Sequence, residues 1–557
     1  MDFIKILIKE IIKKKVKDTD ELLKLRNELT KIYKPKEFPS LIKIFLNADD
    51  KERNILSKLI RVKPTRSISG VIPVAIMTKP YRCTNKEKCI YCPGGLDSEF
   101  GDVPQSYTGN EPASMRAIRN NYDPYLQVFN RLEHYVILNH VIDKVELIIM
   151  GGNFNSMPKK YKENFVKCGF KALNDFSKLF FKKNVFDYSK FIKFFELKKD
   201  FKDPERVRLI QDKLLKLKKN CELKKEQLRN ENSKIRCVAL CLENRPDYCK
   251  KENINEMLNF GCTRVEIGVQ SIYNDVLKKV RRGHNVEDSI KATQLLKDSF
   301  LKVGYHLLPG LTSYEKDKQM FKEIFSNQDF RPDALKIYPC MVFKGTKLYN
   351  LYKKGKYKPL TTEKSAKLIY EVKKYIPEYC RVLRIQRDIA SKLVEAGVDI
   401  TNLRQYIYDK YDVKCRCIRC REPKGEIDFD NLKLIRRDYK ASGGDEIFLS
   451  FEDRDKLVGF CRLRIPYKPF RKEISDKSAG IRELHVYGSS VAIGKKDVNK
   501  LQHRGLGIKL MNEAERIAKE EFDIKKMIVI SGVGVKNYFK KFDYRKDGVY
   551  MSKLITN

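Results

Sequence analysis

The 557-residue chain has no tryptophan, no run of 18 apolar residues and far fewer acids than bases. The missing tryptophan, with a high lysine content, fits low-GC coding as well as a hot habitat and excludes no fold. The missing apolar run excludes a membrane-spanning helix, which needs about 20 such residues in succession. The shortage of acids leaves 73 acidic against 115 basic side chains, a net charge of +42. That excess implies a polyanionic partner, with nucleic acid ahead of a membrane surface. Residues Met1 to Lys17 mix Ile with Lys and Glu and lack the apolar core and cleavage site of a signal peptide. A cytoplasmic chain without a membrane partner is expected. The chain has fifteen cysteines, and in a reducing compartment those that cluster are metal ligands more often than disulfides. No internal repeat of fixed period is present.

What is there divides into four regions. Residues 1–66 are basic, with Ile4, Leu7, Ile8, Ile11 and Ile12 at helical spacing, and read as a small helical, basic domain, to which the resemblance described below adds tRNA binding. Residues 67–345 alternate apolar runs with helical stretches. The runs Val71–Met77, Val145–Met150, Arg236–Leu242, Arg264–Val269, Leu301–Leu307 and Ala334–Tyr338 read as buried parallel strands. The expected fold is therefore α/β, a partial or full (β/α) barrel with ligands at the carboxyl ends of its strands. Residues 159–236 interrupt it as a basic insertion with interleaved aromatics, among them Phe165, Phe170, Phe176, Phe180, Phe181, Phe186 and Tyr188. Nucleic-acid contact and an ordinary amphipathic helix pair both fit that composition. Residues 346–440 read as a helical linker ending in a cysteine-rich site. Residues 441–557 carry antiparallel strands, a glycine-bearing turn and a long helix.

Three cysteines, Cys83, Cys89 and Cys92, are spaced C-x5-C-x2-C. Three thiolates can hold three irons of a 4Fe-4S cubane and leave the fourth open to the amino and carboxylate groups of S-adenosylmethionine (SAM). A structural zinc triad with a remote fourth ligand is the alternative. An iron so placed can pass SAM an electron and make a radical, a reading that Tyr91 and the following Pro-Gly-Gly favour. Groups suited to SAM stand at strand ends: Gly151 and Gly152 for close backbone approach, Glu243 and Gln270 for ribose or ammonium, and Arg281 or Arg282 for a carboxylate. Cys237 and Cys241, at even spacing in one strand, are expected on one face as buried structural cysteines. Cys415, Cys417 and Cys420, as C-x-C-x2-C, form a compact metal motif for which zinc is the default.

Near the C-terminus, Gln502-His-Arg-Gly-Leu-Gly507 opens a helix and follows a strand. A glycine turn at a helix start exposes backbone N–H groups to a pyrophosphate. The form Q/R-x-x-G-x-G/A is the acyl-CoA signature of GNAT acetyltransferases. Val529 to Tyr544 fits that fold's terminal strand, helix and turn.

A radical-SAM triad joined to a GNAT module is a rare pairing. Over residues 60–557 the chain resembles the catalytic-subunit family of Elongator, in its archaeal form. The likeness is carried by Gln105–Gly109, Glu111–Arg119, Arg245–Cys249, Arg264–Ser271, Arg482–Gly488 and Ile530–Gly534. The resemblance implies an acyltransferase of the radical SAM superfamily that makes 5-carboxymethyluridine at the tRNA wobble position from acetyl-CoA and a SAM-derived radical. It implies the anticodon stem-loop as a partner, with other Elongator subunits or a second copy as further ones. Carried over, Cys83, Cys89 and Cys92 hold the cluster. Lys144 touches acetyl-CoA from the radical domain. Glu483, Leu484, His485 and Val486, with Gln502, Arg504, Gly505, Leu506, Gly507 and Ile508, hold CoA, and Phe539 sits by the thioester. The chain departs from the family pattern in a longer first cysteine loop, Asn153, Arg504, Phe539 and Asp543; Tyr538 is the candidate substitute at the thioester. The rival reading is a histone-type lysine Nε-acetyltransferase with a structural cluster and Glu483 or His485 as general base.

Overall fold

The computed structural model describes residues 3–60, 69–197, 199–200, 203–423, 425, 427–488 and 505–555. Four helices come first: α1 (Phe3–Lys13), α2 (Thr19–Tyr33), α3 (Leu41–Asn47) and α4 (Asp50–Leu59). Their starts are written locally. Asp18 accepts from the backbone of Asp20 and Glu21, Ser40 from that of Lys43, and Asp49 forms a capping box with Glu52. Leu7, Ile8 and Ile11 bury against Leu22, Leu25, Ile44, Phe45 and Leu56. The ring of Tyr188 meets Phe45 edge-on, so this bundle rests on the helix Tyr188–Phe194.

The central sheet has seven parallel strands in sequence order: β1 (Ile72–Met77), β2 (Lys144–Met150), β3 (Arg236–Asn244), β4 (Arg264–Gln270), β5 (Lys302–Leu307), β6 (Ala334–Ile337) and β7 (Arg381–Ile385). No pairing joins β1 to β7 among the described residues, so the barrel is partial, with an open side between those edges. The seventh strand lies in the stretch expected to be helical linker. Its Arg-Val-Leu-Arg-Ile sequence carries two arginines that line the cavity, and they hide the strand.

One open alternative narrows here and one expectation changes. The long helix Lys159–Phe180 is the crossover between β2 and β3, and Phe165, Phe170, Phe176 and Phe180 are buried in the main core. Those four rings are packing residues, as an amphipathic helix implies. Cys237 and Cys241 do not share a face. The register pairs Val145 with Cys237 but Glu146 with Ala239, so one extra residue flips the alternation. Cys237 packs with Leu240 and Leu242, while Cys241 accepts from Arg264 on the charged side.

The second sheet holds β8 (Lys433–Ala441), β9 (Gly444–Asp453), β10 (Lys456–Ile465), β11 (Ser478–Val486), β12 (Lys526–Val529), β13 (Arg545–Asp547) and β14 (Tyr550–Leu554). Its order is β8-β9-β10-β11-β12-β14-β13, covered by the helix Leu506–Phe522. β8 also falls inside the expected linker. It is an edge strand with exposed charged residues at Arg436, Asp438 and Lys440, so its apolar signal is weak.

This sheet docks on the amino-terminal end of the barrel. Arg464 pairs with Asp298, Arg482 with Asp333, Lys297 with Glu446, and Lys302 with Glu483, and the first six of these side chains are at most 2 % exposed. Removing one partner from such a network strands a buried charge at a cost of about 3–5 kcal/mol. Gly532 lies so close to β3 that a Cβ there would stand 2.0 Å from the carbonyl oxygen of Val238. The two sheets are thus tied by charge and by backbone contact.

Candidate functional site

One cavity of about 1430 Å³ extends from the carboxyl ends of the barrel strands to the second sheet. At its upper end lie Cys83, Cys89 and Cys92, in the loop that follows β1. The backbone N–H of Ser106 donates to Cys92 Sγ at 3.3 Å, and Arg282 Nη1 stands 3.8 Å from Cys89 Sγ. Burial, then Cys89, pushes the Cys92 thiol above its ordinary pKa. A bound cation reverses that balance and holds thiolates. The three sulfurs are not gathered within 4.8 Å of one another, as the ligand atoms of the two tight groups among the described residues are. Ligands to separate irons of a cubane need not converge as ligands to one ion do, so the donor set fits a cluster.

The other upper residues vary in placement. Gly152 lines the cavity, whereas Gly151, at φ +141°, packs on Thr78, whose Oγ1 would lie 2.0 Å from a Cβ there. Glu243 accepts from Tyr107 Oη at 2.9 Å. Gln270, at φ +67°, is buried, and its Oε1 has no hydrogen-bond partner among the described residues. An orphaned acceptor there fits a ligand hydroxyl. Arg281 turns outward to pair with Glu87, half-exposed and away from the cavity. Its neighbour Arg282 turns inward, donating to the carbonyl of Gly268 at 2.8 Å. The arginine brought to the cysteines is thus Arg282 and not Arg281.

At the lower end, Lys144 lines the cavity, and burial lowers its pKa. β11 pairs with β12 only from Ser478/Lys526 to Ile481/Val529, then runs on to Val486. Glu483, Leu484, His485 and Val486 line the cavity beyond that divergence. Gly505, Gly507 and Ile508 face them from the start of the helix, and Leu506 is buried beneath in the domain core. Tyr538 and Phe539 also line this end, and Tyr538 Oη stands 3.0 Å from where a Cβ at Gly507 would be. Gln502 and Arg504 lie outside the described residues. Burial raises Glu483, but Lys302 at 2.8 Å and Arg462 at 2.9 Å win and hold its pKa well below the carboxylate range. Burial pushes His485 down to about 4.

Cys415, Cys417 and Cys420 lie elsewhere, their sulfurs all within 4.8 Å of one another. Tyr408 Oη is 2.9 Å and Lys373 Nζ 3.7 Å from Cys420 Sγ. None of the three cysteines lines the large cavity. Three converging sulfurs fit one tetrahedral ion.

Sequence reading missed the charges inside the barrel. Glu266, His306 and Lys336 all face the cavity, with Glu266 paired to Lys336, Arg264 and His306. The available signal was an ionisable residue inside each of three otherwise apolar parallel strands, where charge is rarely left without purpose.

Fold and cavity define a radical SAM domain joined to an acetyltransferase domain. Family models match accordingly: the ELP3 N-terminal domain over residues 1–68, the radical SAM superfamily over 77–322, the radical SAM C-terminal domain over 332–412 and the acetyltransferase (GNAT) family over 410–544. The chain is 47% identical to the tRNA uridine(34) acetyltransferase of Methanocaldococcus infernus, covering 98% of this chain and 97% of that one. It is 41% identical to Elongator complex protein 3 of Saccharomyces cerevisiae, over 95% and 91%. A solved structure of the archaeal Methanocaldococcus infernus Elp3 with an N-terminal deletion (1–46) matches with TM-score 0.70 and 43% identity. It covers 88% of this chain and all of that one. The chain belongs to the Elongator complex protein 3 family. No described helix is long and apolar enough to cross a membrane.

Proposed function

We propose that the protein is a tRNA uridine(34) acetyltransferase that makes 5-carboxymethyluridine from acetyl-CoA at the wobble position. The single observation that carries this reading is the shared cavity, lined at one end by Cys83, Cys89 and Cys92 and at the other by Glu483–Val486 and Gly507. Relatives named tRNA uridine(34) acetyltransferase support the substrate class.

In this reading Cys83, Cys89 and Cys92 hold a 4Fe-4S cluster. With SAM bound, that cluster supplies a 5′-deoxyadenosyl radical able to take hydrogen from an unactivated methyl. Gly152, Glu243, Gln270 and Arg282 hold SAM. The backbone of Glu483–Val486 and the turn at Gly505–Ile508 hold CoA, while Lys144, Tyr538 and Phe539 border its acyl end. The open side of the barrel admits the uridine past Arg116, Arg131, Arg384 and Arg387, all of which line the cavity. Their charge suits phosphate. Cys415, Cys417 and Cys420 hold a structural zinc.

The lysine-acetyltransferase reading is weaker on physical grounds. It needs a general base with a pKa near the working pH. Glu483 is locked between two cations and His485 is too acidic. The test is anaerobic incubation of the reconstituted protein with SAM, acetyl-CoA and tRNA, followed by nucleoside mass spectrometry. Formation of 5′-deoxyadenosine and 5-carboxymethyluridine only when all three are present is expected. Acetyl-lysine on a peptide without SAM would overturn it.

A further inference from the structure

Glu243, Glu266 and His306 offer ligand atoms within 4.8 Å of one another, in the interior of the barrel. Three such groups suggest a metal, but Lys336 Nζ already occupies the cationic position, paired with Glu266 and 3.4 Å from Glu243. The group is a protein-only charge cluster. The sheet builds it: Glu243, Glu266 and Gly304 are in register on adjacent strands, and His306 pairs with Lys336 one step nearer the carboxyl ends. Gly304 leaves room for Glu266, whose Cγ would lie 3.3 Å from a Cβ there. Gln270 and the cysteines lie above this layer, and Lys144, Arg236 and Lys302 below it at the strand starts.

Within it, His306 and Glu266 form a dyad with Nε2 and Oε2 2.9 Å apart. Lys336 and Arg264 keep Glu266 ionised, its pKa well below the carboxylate range despite burial. An ionised acceptor fixes the proton on Nε2 and leaves Nδ1 as a base. Nδ1 has no hydrogen-bond partner among the described residues, and the ring faces the cavity. Burial and Lys336 lower the imidazole's pKa, so it is neutral near pH 7.

We infer that His306, oriented by Glu266, is the general base that hydrolyses the thioester joining the modified uridine to CoA. The inference rests on the carboxymethyluridine reading. It follows from distance along the substrate: the thioester carbonyl is one bond from the methyl carbon that gives up hydrogen. Its base therefore belongs in the layer that Glu243 shares with the SAM site and not at the CoA pyrophosphate. Water loses a proton to Nδ1 as its oxygen adds to the carbonyl carbon. The tetrahedral adduct expels the thiolate, breaking the C–S bond, and the proton passes from His306 to sulfur. Uridine–CH2–CO–S–CoA and water give uridine–CH2–COOH and CoA–SH, with no change of oxidation state.

The test uses full-length His306→Gln, whose amide can still donate to Glu266, and His306→Ala with added imidazole. Each is assayed with SAM, acetyl-CoA and tRNA, alongside iron content and tRNA affinity. In His306→Gln, release of carboxymethyluridine should fall by about 10²–10⁴-fold, the range of a general base. Deoxyadenosine formed in one turnover should stay within about twofold, since the dyad acts after the C–H step. A CoA-linked uridine should accumulate, yield a hydroxamate with hydroxylamine, and be cleared by imidazole in His306→Ala. Normal carboxymethyluridine release from either variant would overturn the inference. So would a parallel fall of deoxyadenosine and product with iron and tRNA binding intact, or no imidazole rescue. If the unaltered protein forms neither deoxyadenosine nor any C5 adduct, the underlying functional reading fails instead, and this inference with it.

Discussion

The two cysteine triads make the most instructive comparison in the molecule. Cys83, Cys89 and Cys92 hang from a loop at the rim of a large cavity, with an arginine and a backbone N–H facing their sulfurs. Cys415, Cys417 and Cys420 converge on one point, with Lys373 and Tyr408 against Cys420 and Cys417 fully buried. Ligand type is the same and spacing is similar. What differs is the spread of the sulfurs and what lies in front of them. Dispersed thiolates at an open cavity suit a cluster with one exchangeable iron, and converged ones suit a closed single-ion site.

Exchanging a ligand in each triad is the largest perturbation of that contrast. Cys89→Ser should abolish deoxyadenosine formation, a loss of at least about 10³-fold, because an activity needing the cluster has no alternative route. Its melting temperature should barely change. Cys417→Ser should do the reverse. A loss of about 3 kcal/mol at the structural site would lower the melting temperature by roughly 2–3 °C in a chain of 557 residues. Deoxyadenosine formation at 20 °C should survive. Differential scanning calorimetry beside a single-turnover assay separates the outcomes, and equal thermal losses in both variants would erase the distinction.

Adjacent arginines sharpen the first triad further. Arg282→Gln should lower deoxyadenosine formation by about 10–100-fold, as expected for losing hydrogen bonds to charged groups worth about 1.5–3 kcal/mol. Arg281→Gln, altering only the surface pair with Glu87, should stay within about twofold. Reversal of that ranking would show that the wrong side chain has been placed at the cysteines.

Acid sensitivity is the mildest test. Burial, then Arg282 and Arg245, pushes His284 down to about 2. The folded imidazole stays neutral while the unfolded one takes up a proton below its ordinary 6.5, so stability is lost as pH falls through that range. At pH 5 the cost is about 2 kcal/mol. His284→Gln should flatten urea-unfolding stability between pH 7 and 5 by that amount. An unchanged slope would mean that this histidine is not buried neutral.

The apolar strand runs and both cysteine motifs could be read from the chain because each is local. Placement of side chains was less legible. Arg281 and Arg282 stand in a turn where φ is +57° at Arg281, and no pattern tells which points inward. The register shift after Cys237 reversed an alternation that the spacing implied. Strands β7 and β8 were hidden by charge, one beside a cavity and one at an edge. Glu266, His306 and Lys336 lie 40 and 30 residues apart along the chain and meet only because parallel strands align them.

The shared cavity predicts that the acetyl methyl is the hydrogen donor. Anaerobic turnover with acetyl-CoA deuterated in the methyl group, SAM and tRNA should place deuterium on the 5′ carbon of the released deoxyadenosine. Deoxyadenosine formed at full rate without deuterium would contradict it.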